Sequence, residues 1–189
     1  MEGSGMKSIR PDLSKTCAEE PSKGHNRWHP DIPPAVEIAP GEELELDTRD
    51  TMDGQITPRS KSSDLKGLQT GRVHPLTGPV HVRGAEPGDL LEVELREMRP
   101  GSFGFTTIAP GFGLLRDLFD GHFLAKWTIK DGCAISAELP GVRIPDGSFF
   151  GVMGVAPSRL LRQEILLREE GLRRRGGMVL PPDPVGAVP

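Results

Sequence analysis

Apolar and polar residues alternate in short stretches along this chain, with turn residues between them. Leu44-Glu45-Leu46-Asp47-Thr48 has the period of two that suits a half-buried strand. Residues 35–46 and 80–95 repeat one pattern: an alternating run, a reversal at Pro40-Gly41 or Pro87-Gly88, and a second alternating run. A Pro-Gly step followed by an acid favours a tight turn, so the pattern predicts two hairpins. Residues 126–129 and 133–137 are further short strand candidates. The apolar, glycine-spaced run 149–157 carries no charge and reads as a buried strand. Only one stretch has a convincing helical period. Ser158 is a suitable N-cap, and Leu160, Leu161, Ile165, Leu166 and Leu172 form a stripe that ends at Gly176-Gly177. Residues 58–71 are polar and read as an exposed excursion. Residues 103–115 alternate Gly with Phe, which suits a flexible flap or a pocket wall, and 114–119 could close a helical turn.

These elements predict a mainly β fold, a β-sandwich with one late α-helix. Residues 1–24 read as a mobile N-terminal arm, 25–157 as the β-domain, 158–177 as a helix packed on it, and 178–189 as a linker. At 189 residues the chain can bury one substantial core. Its 24 Gly and 19 Pro exceed a fifth of the chain, which fits turn-rich β structure given the alternation. Tyr is absent, so the core relies on aliphatic residues and seven Phe.

A net charge of −4 offers no basic face for nucleic acid. No apolar run approaches the ~18 residues of a membrane helix. No signal-peptide core follows the N-terminal charges. Cys17 and Cys133 form no CxxC pair and no disulfide framework, so a reducing cytoplasm is the expected compartment.

The densest candidate chemistry follows the first predicted hairpin, in Arg49-Asp50-Thr51-Met52-Asp53-Gly54-Gln55-Ile56. Polar groups at a strand end are held more rigidly than those on a free loop. Asp50 can ligate a metal or act as a base, Gln55 can orient a substrate through its amide, and Gly54 permits the turn between them. In His25-Asn26-Arg27-Trp28-His29-Pro30-Asp31-Ile32-Pro33-Pro34, the prolines impose an extended path, and His29 and Asp31 lie two apart. That spacing suits a shared metal or a His–carboxylate pair. A surface turn with Trp28 plugging the core edge is the plainer alternative. His74, before Pro75, could meet Asp50 at one end of a sandwich or simply be a turn residue. Together His29, Asp31, Asp50, Asp53, Gln55 and His74 form a polar set whose ligand types suit zinc or another divalent ion. No HExxH, GxSxG, Walker or Rossmann pattern is present. On the residues alone, hydrolase and binding module both stand.

The ordered motifs resemble the acetamidase/formamidase family. Residues 25–34, Asp50 with Gly54-Gln55-Ile56, His74-Pro75-Leu76-Thr77-Gly78-Pro79, Gly84-Ala85-Glu86-Pro87-Gly88-Asp89 and residues 149–157 carry the likeness. The Trp28-His29-Pro30-Asp31 and His74-Pro75 forms are closer to formamidase-like members. The resemblance implies hydrolysis of the C–N bond of a small linear amide, formamide or acetamide, by water to a carboxylate and ammonia. It implies an oligomer, and in some members a divalent metal, zinc or calcium. The expected catalytic set is Asp50, Gln55 and His74. Phe105, Gly111 and Phe112 are expected to line the apolar side of the pocket, and His29, Asp31 and Asp50 to hold any metal. Family members are longer, roughly 300 residues or more, a size that one core can still serve. The chain is therefore expected to be a fragment, associating with itself or with a C-terminal half. The amidase reading requires Asp50, Gln55 and His74 to converge. A non-catalytic β-sandwich that binds a ligand or a protein is the alternative. A metal hydrolase acting on another amide or ester would share the same site.

Overall fold

The computed structural model describes residues 6–177. In chain order its strands are β1 (Lys7–Ile9), β2 (Gly24–His25), β3 (Val36–Ile38), β4 (Leu44–Leu46), β5 (Leu76–Thr77), β6 (Val80–Val82), β7 (Phe103–Ile108), β8 (Phe123–Lys130), β9 (Cys133–Ile135) and β10 (Arg143–Pro145). One helix follows, α1 (Arg159–Arg174), and 3-10 turns form at Cys17–Glu19, Ser62–Gly67 and Thr70–Arg72. The fold is thus mainly β with one late helix. The chain divides into two compact units. The first runs to Gly54 and includes Gln69–Leu91 and the stretch from Val152; the second comprises Gln55–Leu68 and Glu92–Gly151.

The first unit is built from three two-stranded pairs: β1 with β4 and β3 with β6, both parallel, and β2 with β5, antiparallel. The predicted hairpins do not form. The reversals themselves are present, with Glu42 N–H donating to the Ala39 carbonyl at 3.1 Å and Asp89 N–H to the Glu86 carbonyl at 3.1 Å. The segments leaving those turns do not pair with the strands that entered them. The first arms of the two sequence repeats pair with each other, Val36 opposite Val80 and Ile38 opposite Val82.

The N-terminal stretch is also not a free arm from Met6 onward. Ile9 is buried, β1 pairs with β4, and Lys7 Nζ sits 2.8 Å from Glu42 Oε1. One apolar residue on the inward face of a three-residue strand is enough to dock a segment whose composition is polar. Residues 90–95 keep the alternation of a strand but join no sheet, and Leu90 is 97% exposed. A strand's backbone groups need a neighbouring strand, and alternation alone supplies none. The run 149–157 is likewise not a strand, and Phe149 is 80% exposed. Within it, Gly154 lies against Trp28, where a Cβ would fall 3.1 Å from the indole ring.

The helix begins where its cap predicts, with Leu161 N–H donating to Ser158 Oγ at 3.1 Å. It ends at the left-handed Gly176, and Gly177 N–H returns to the Leu172 carbonyl at 2.9 Å. The expected linker 178–189 lies outside the described residues.

The second unit is an antiparallel sheet in the order β10-β9-β8-β7. Its core is on β8, where Leu124, Ala125 and Trp127 are buried. Trp127 donates its indole N–H to Thr106 Oγ1 at 2.9 Å and faces Gly104, whose missing side chain leaves room for Ile129. The first half of the expected flap is therefore strand β7; the β-branched Thr106, Thr107 and Ile108 favour that pairing. Residues 110–119 form exposed turns, with Leu118 N–H donating to the Leu115 carbonyl at 3.0 Å. The excursion at 58–71 is anchored by the buried Leu65 and by Ser62 Oγ, which accepts Leu124 N–H at 3.0 Å.

Candidate active site

Beyond β4 the chain turns at Asp50, whose two carboxylate oxygens each accept a backbone N–H from the turn. Met52 donates to Oδ1 and Gly54 to Oδ2, both at 2.8 Å, and Asp53 N–H donates to the Asp50 carbonyl at 3.0 Å. This is the local bonding by which aspartate favours turns over regular structure. The turn needs two left-handed residues in succession, Asp53 at φ 53° and Gly54 at φ 73°. Aspartate tolerates that conformation better than most residues, and glycine adopts it without strain. Asp50 remains exposed, so its outer lone pairs face solvent.

His74 is brought beside this turn. Its N–H donates to the Thr51 carbonyl at 2.8 Å, and its own backbone is left-handed at φ 60°. A histidine in that region is uncommon, and such residues gather at functional sites. Its side chain is exposed, as is that of Asp50. Of the expected catalytic set, these two are joined through the backbone of one turn. Gln55, the third, is the first residue of the second unit. The expected pocket residues also belong to that unit: Phe105 is half-buried on β7, Gly111 takes φ 75°, and Phe112 is 68% exposed.

Asp53 is the buried centre of the first unit's polar network, at 3% exposure. Both its oxygens accept Cys17 N–H at 3.1 Å. Arg49 Nη1 approaches Oδ1 at 3.5 Å, and Arg72 Nη2 lies 3.3 Å from Oδ2 and 2.8 Å from the Asp53 carbonyl. A buried carboxylate requires such pairing. Burial and the adjacent Asp53 charge push the Cys17 thiol up, away from reactivity. The sequence pattern placed Asp53 in the polar set but carried no sign of its partners at positions 17 and 72, which are remote in the chain.

The residues expected to hold a metal each have a partner within the fold. Asp31 Oδ1 is taken by Arg159 Nη2 at 2.5 Å, and His29 Nδ1 accepts Asp31 N–H at 3.1 Å. Asp50 caps its own turn. Among the described residues, no three His, Cys, Asp or Glu side chains are grouped to hold a metal ion. The motif at 25–34 is instead largely architectural. His25 Nδ1 bonds the Arg27 carbonyl at 2.9 Å and stacks edge-on to Trp28, and burial lowers its pKa. Arg27 is buried, with Nη1 donating to the Asn26 carbonyl and, at 3.4 Å, to that of Val73. Val73 immediately precedes His74, so the motif supports one flank of the candidate site.

The fold and this ordered set of motifs define a class. The profile of the Acetamidase/Formamidase family matches residues 10–189, and the chain belongs to that family. The acetamidase of Mycolicibacterium smegmatis is 34% identical over 174 residues, covering 85% of this chain and 43% of that protein. The formamidase of Methylophilus methylotrophus is 34% identical over 165 residues, covering 82% and 40%. Among solved structures, the gamma lactamase of Delftia acidovorans superposes with a TM-score of 0.82 at 32% identity, over 96% of this chain and 47% of that one. The chain spans less than half the length of the curated relatives it matches. Among the described residues, no helix is long and apolar enough to cross a membrane.

Proposed function

We propose that this chain carries part of the site of an amide hydrolase that cleaves the C–N bond of a small linear amide, formamide or acetamide. The observation that carries the reading is the turn at residues 50–54, which holds an exposed Asp50 beside His74 in a chain of this family. Hydrolysis of a resonance-stabilised amide needs an activated water and a proton for the leaving nitrogen. In our reading Asp50 accepts a proton from water as its oxygen bonds to the carbonyl carbon. His74 as imidazolium gives a proton to the amide nitrogen as the C–N bond breaks. The products are carboxylic acid and ammonia, and proton transfer from Asp50 back to His74 restores both groups.

We further propose that the working protein is an assembly, with the polypeptide equivalent to the remaining length of the relatives or with further copies of this chain. Leu90, Leu114 and Phe149 are exposed at 97%, 102% and 80%, in segments that join no sheet. Exposed apolar surface of this kind marks association. The same surface favours the second reading, a non-catalytic module that binds a protein. The free thiols Cys17 and Cys133 support a reducing, cytoplasmic setting.

Ammonia release from formamide and acetamide tests the reading, with the purified chain alone and mixed with the C-terminal half of a relative. Turnover under either condition that falls at least ~100-fold in Asp50→Asn supports it. Turnover unchanged in Asp50→Asn removes Asp50 from the chemistry. No turnover under both conditions favours the binding module.

A further inference from the structure

We infer that Asp53 is a positioning residue that fixes the turn presenting Asp50 and its junction with His74, an inference that rests on those two being the reacting groups. Asp53 is buried, and its backbone and side chain tie together three remote segments. Its N–H closes the turn on Asp50, its carboxylate holds Cys17 N–H, and its carbonyl and Oδ2 hold Arg72, two residues before His74. The Thr51 carbonyl, inside the same turn, then receives His74 N–H.

Two features separate this from general stabilisation. First, Arg49 does not depend on Asp53. It also donates to Glu20 Oε2 at 2.9 Å and to the carbonyls of Lys15 at 2.6 Å and Asp12 at 3.0 Å. Removing the Asp53 carboxylate therefore leaves Arg49 bonded, and the loss falls on the turn. Second, both ends of the junction hold left-handed backbone at a non-glycine residue. Asp53 and His74 are two of the three non-glycine residues with positive φ among those described. Left-handed backbone at such residues persists only when surrounding bonds over-determine it. The Asp53 side chain supplies those bonds at one end, and the Thr51–His74 hydrogen bond transmits them to the other.

The test uses the full chain in whichever assembly shows turnover. It compares Asp53→Asn with the parent by steady-state kinetics and by NMR-detected exchange at single amides. Asparagine keeps one acceptor oxygen for Cys17 N–H and loses the charge facing Arg72. The expected result is a kcat reduced ~10-fold or more with KM within about twofold, since misplacement of a reacting group acts on the chemical step. Exchange should speed ~10-fold or more at Met52, Gly54 and His74, with the β8 amides of Leu124 to Trp127 unchanged. Unchanged exchange at those three amides overturns the inference. So does a uniform rise across all amides, which would mark Asp53 as globally stabilising. Loosened amides with normal kcat overturn it as well, provided Asp50→Asn abolishes turnover. If Asp50→Asn retains full turnover, the assignment of Asp50 fails. The exchange data then still decide whether Asp53 holds the turn. Should Asp53→Asn not fold, Arg72→Gln makes the same comparison from a half-exposed position, with smaller changes in the same direction.

Discussion

Leu124 and Leu114 are ten residues apart, of one residue type and in opposite situations, which makes them a matched test of where the second unit's core lies. Leu124 is 2% exposed near the start of β8, whereas Leu114 stands fully in solvent. Leu124→Ala removes three buried carbons, worth ~0.8 kcal/mol each, or about 2.4 kcal/mol in transfer alone. It sits in a paired stretch of the sheet, opposite Thr107, whose backbone bonds resist collapse, so a cavity term adds to this. The total should be about 3–4 kcal/mol, inside the usual range for buried leucines. With a urea slope of ~2 kcal/mol/M, the midpoint should fall by about 1.5–2 M. The chain has two tryptophans, Trp28 in the first unit and Trp127 in the second. In a Trp28→Phe background, Trp127 fluorescence reports the second unit alone. Leu114→Ala in the same background should shift stability by no more than about 0.5 kcal/mol. A Leu124→Ala loss below about 1 kcal/mol, or an equal loss at Leu114, would refute the assignment of the core to β8.

Two further outcomes follow from the first unit. Gly24 pairs with Thr77, and a Cβ there would lie 2.7 Å from the Leu76 carbonyl oxygen, so Gly24→Ala must displace backbone. It should cost about 1–3 kcal/mol by urea unfolding followed through Trp28, and a neutral result would place β2 differently. Burial lowers the folded-state pKa of His25, so above its unfolded value, ~6.5, both states are neutral and stability is fully present. As pH falls through that value the unfolded state takes up the proton first, and stability is lost towards the folded pKa. His25→Gln should therefore flatten the decline in urea midpoint between about pH 7 and pH 5, and an unaltered slope would mean His25 is not the group responsible.

The sequence by itself determined what depends on neighbours in the chain. Ser158 and Gly176 bound the helix because a cap and a left-handed exit are local devices. The Pro-Gly steps turn where they stand for the same reason. The motif at 25–34 and the Asp50 turn were legible as polar clusters because their residues are consecutive, and the family was legible from the order of those clusters. Strand pairing was decided only in three dimensions. Alternation specifies which face of a strand is apolar and leaves the partner open, so β3 took β6 rather than the strand after its own turn. Asp53 shows the same limit at the site. Its aspartate suited the turn locally, but its role depends on Cys17 and Arg72, 36 and 19 residues away. The stretches 90–95 and 149–157 kept the pattern of buried strands and joined no sheet. A hydrophobic pattern states a requirement for a partner, and only the tertiary structure decides whether that partner is supplied.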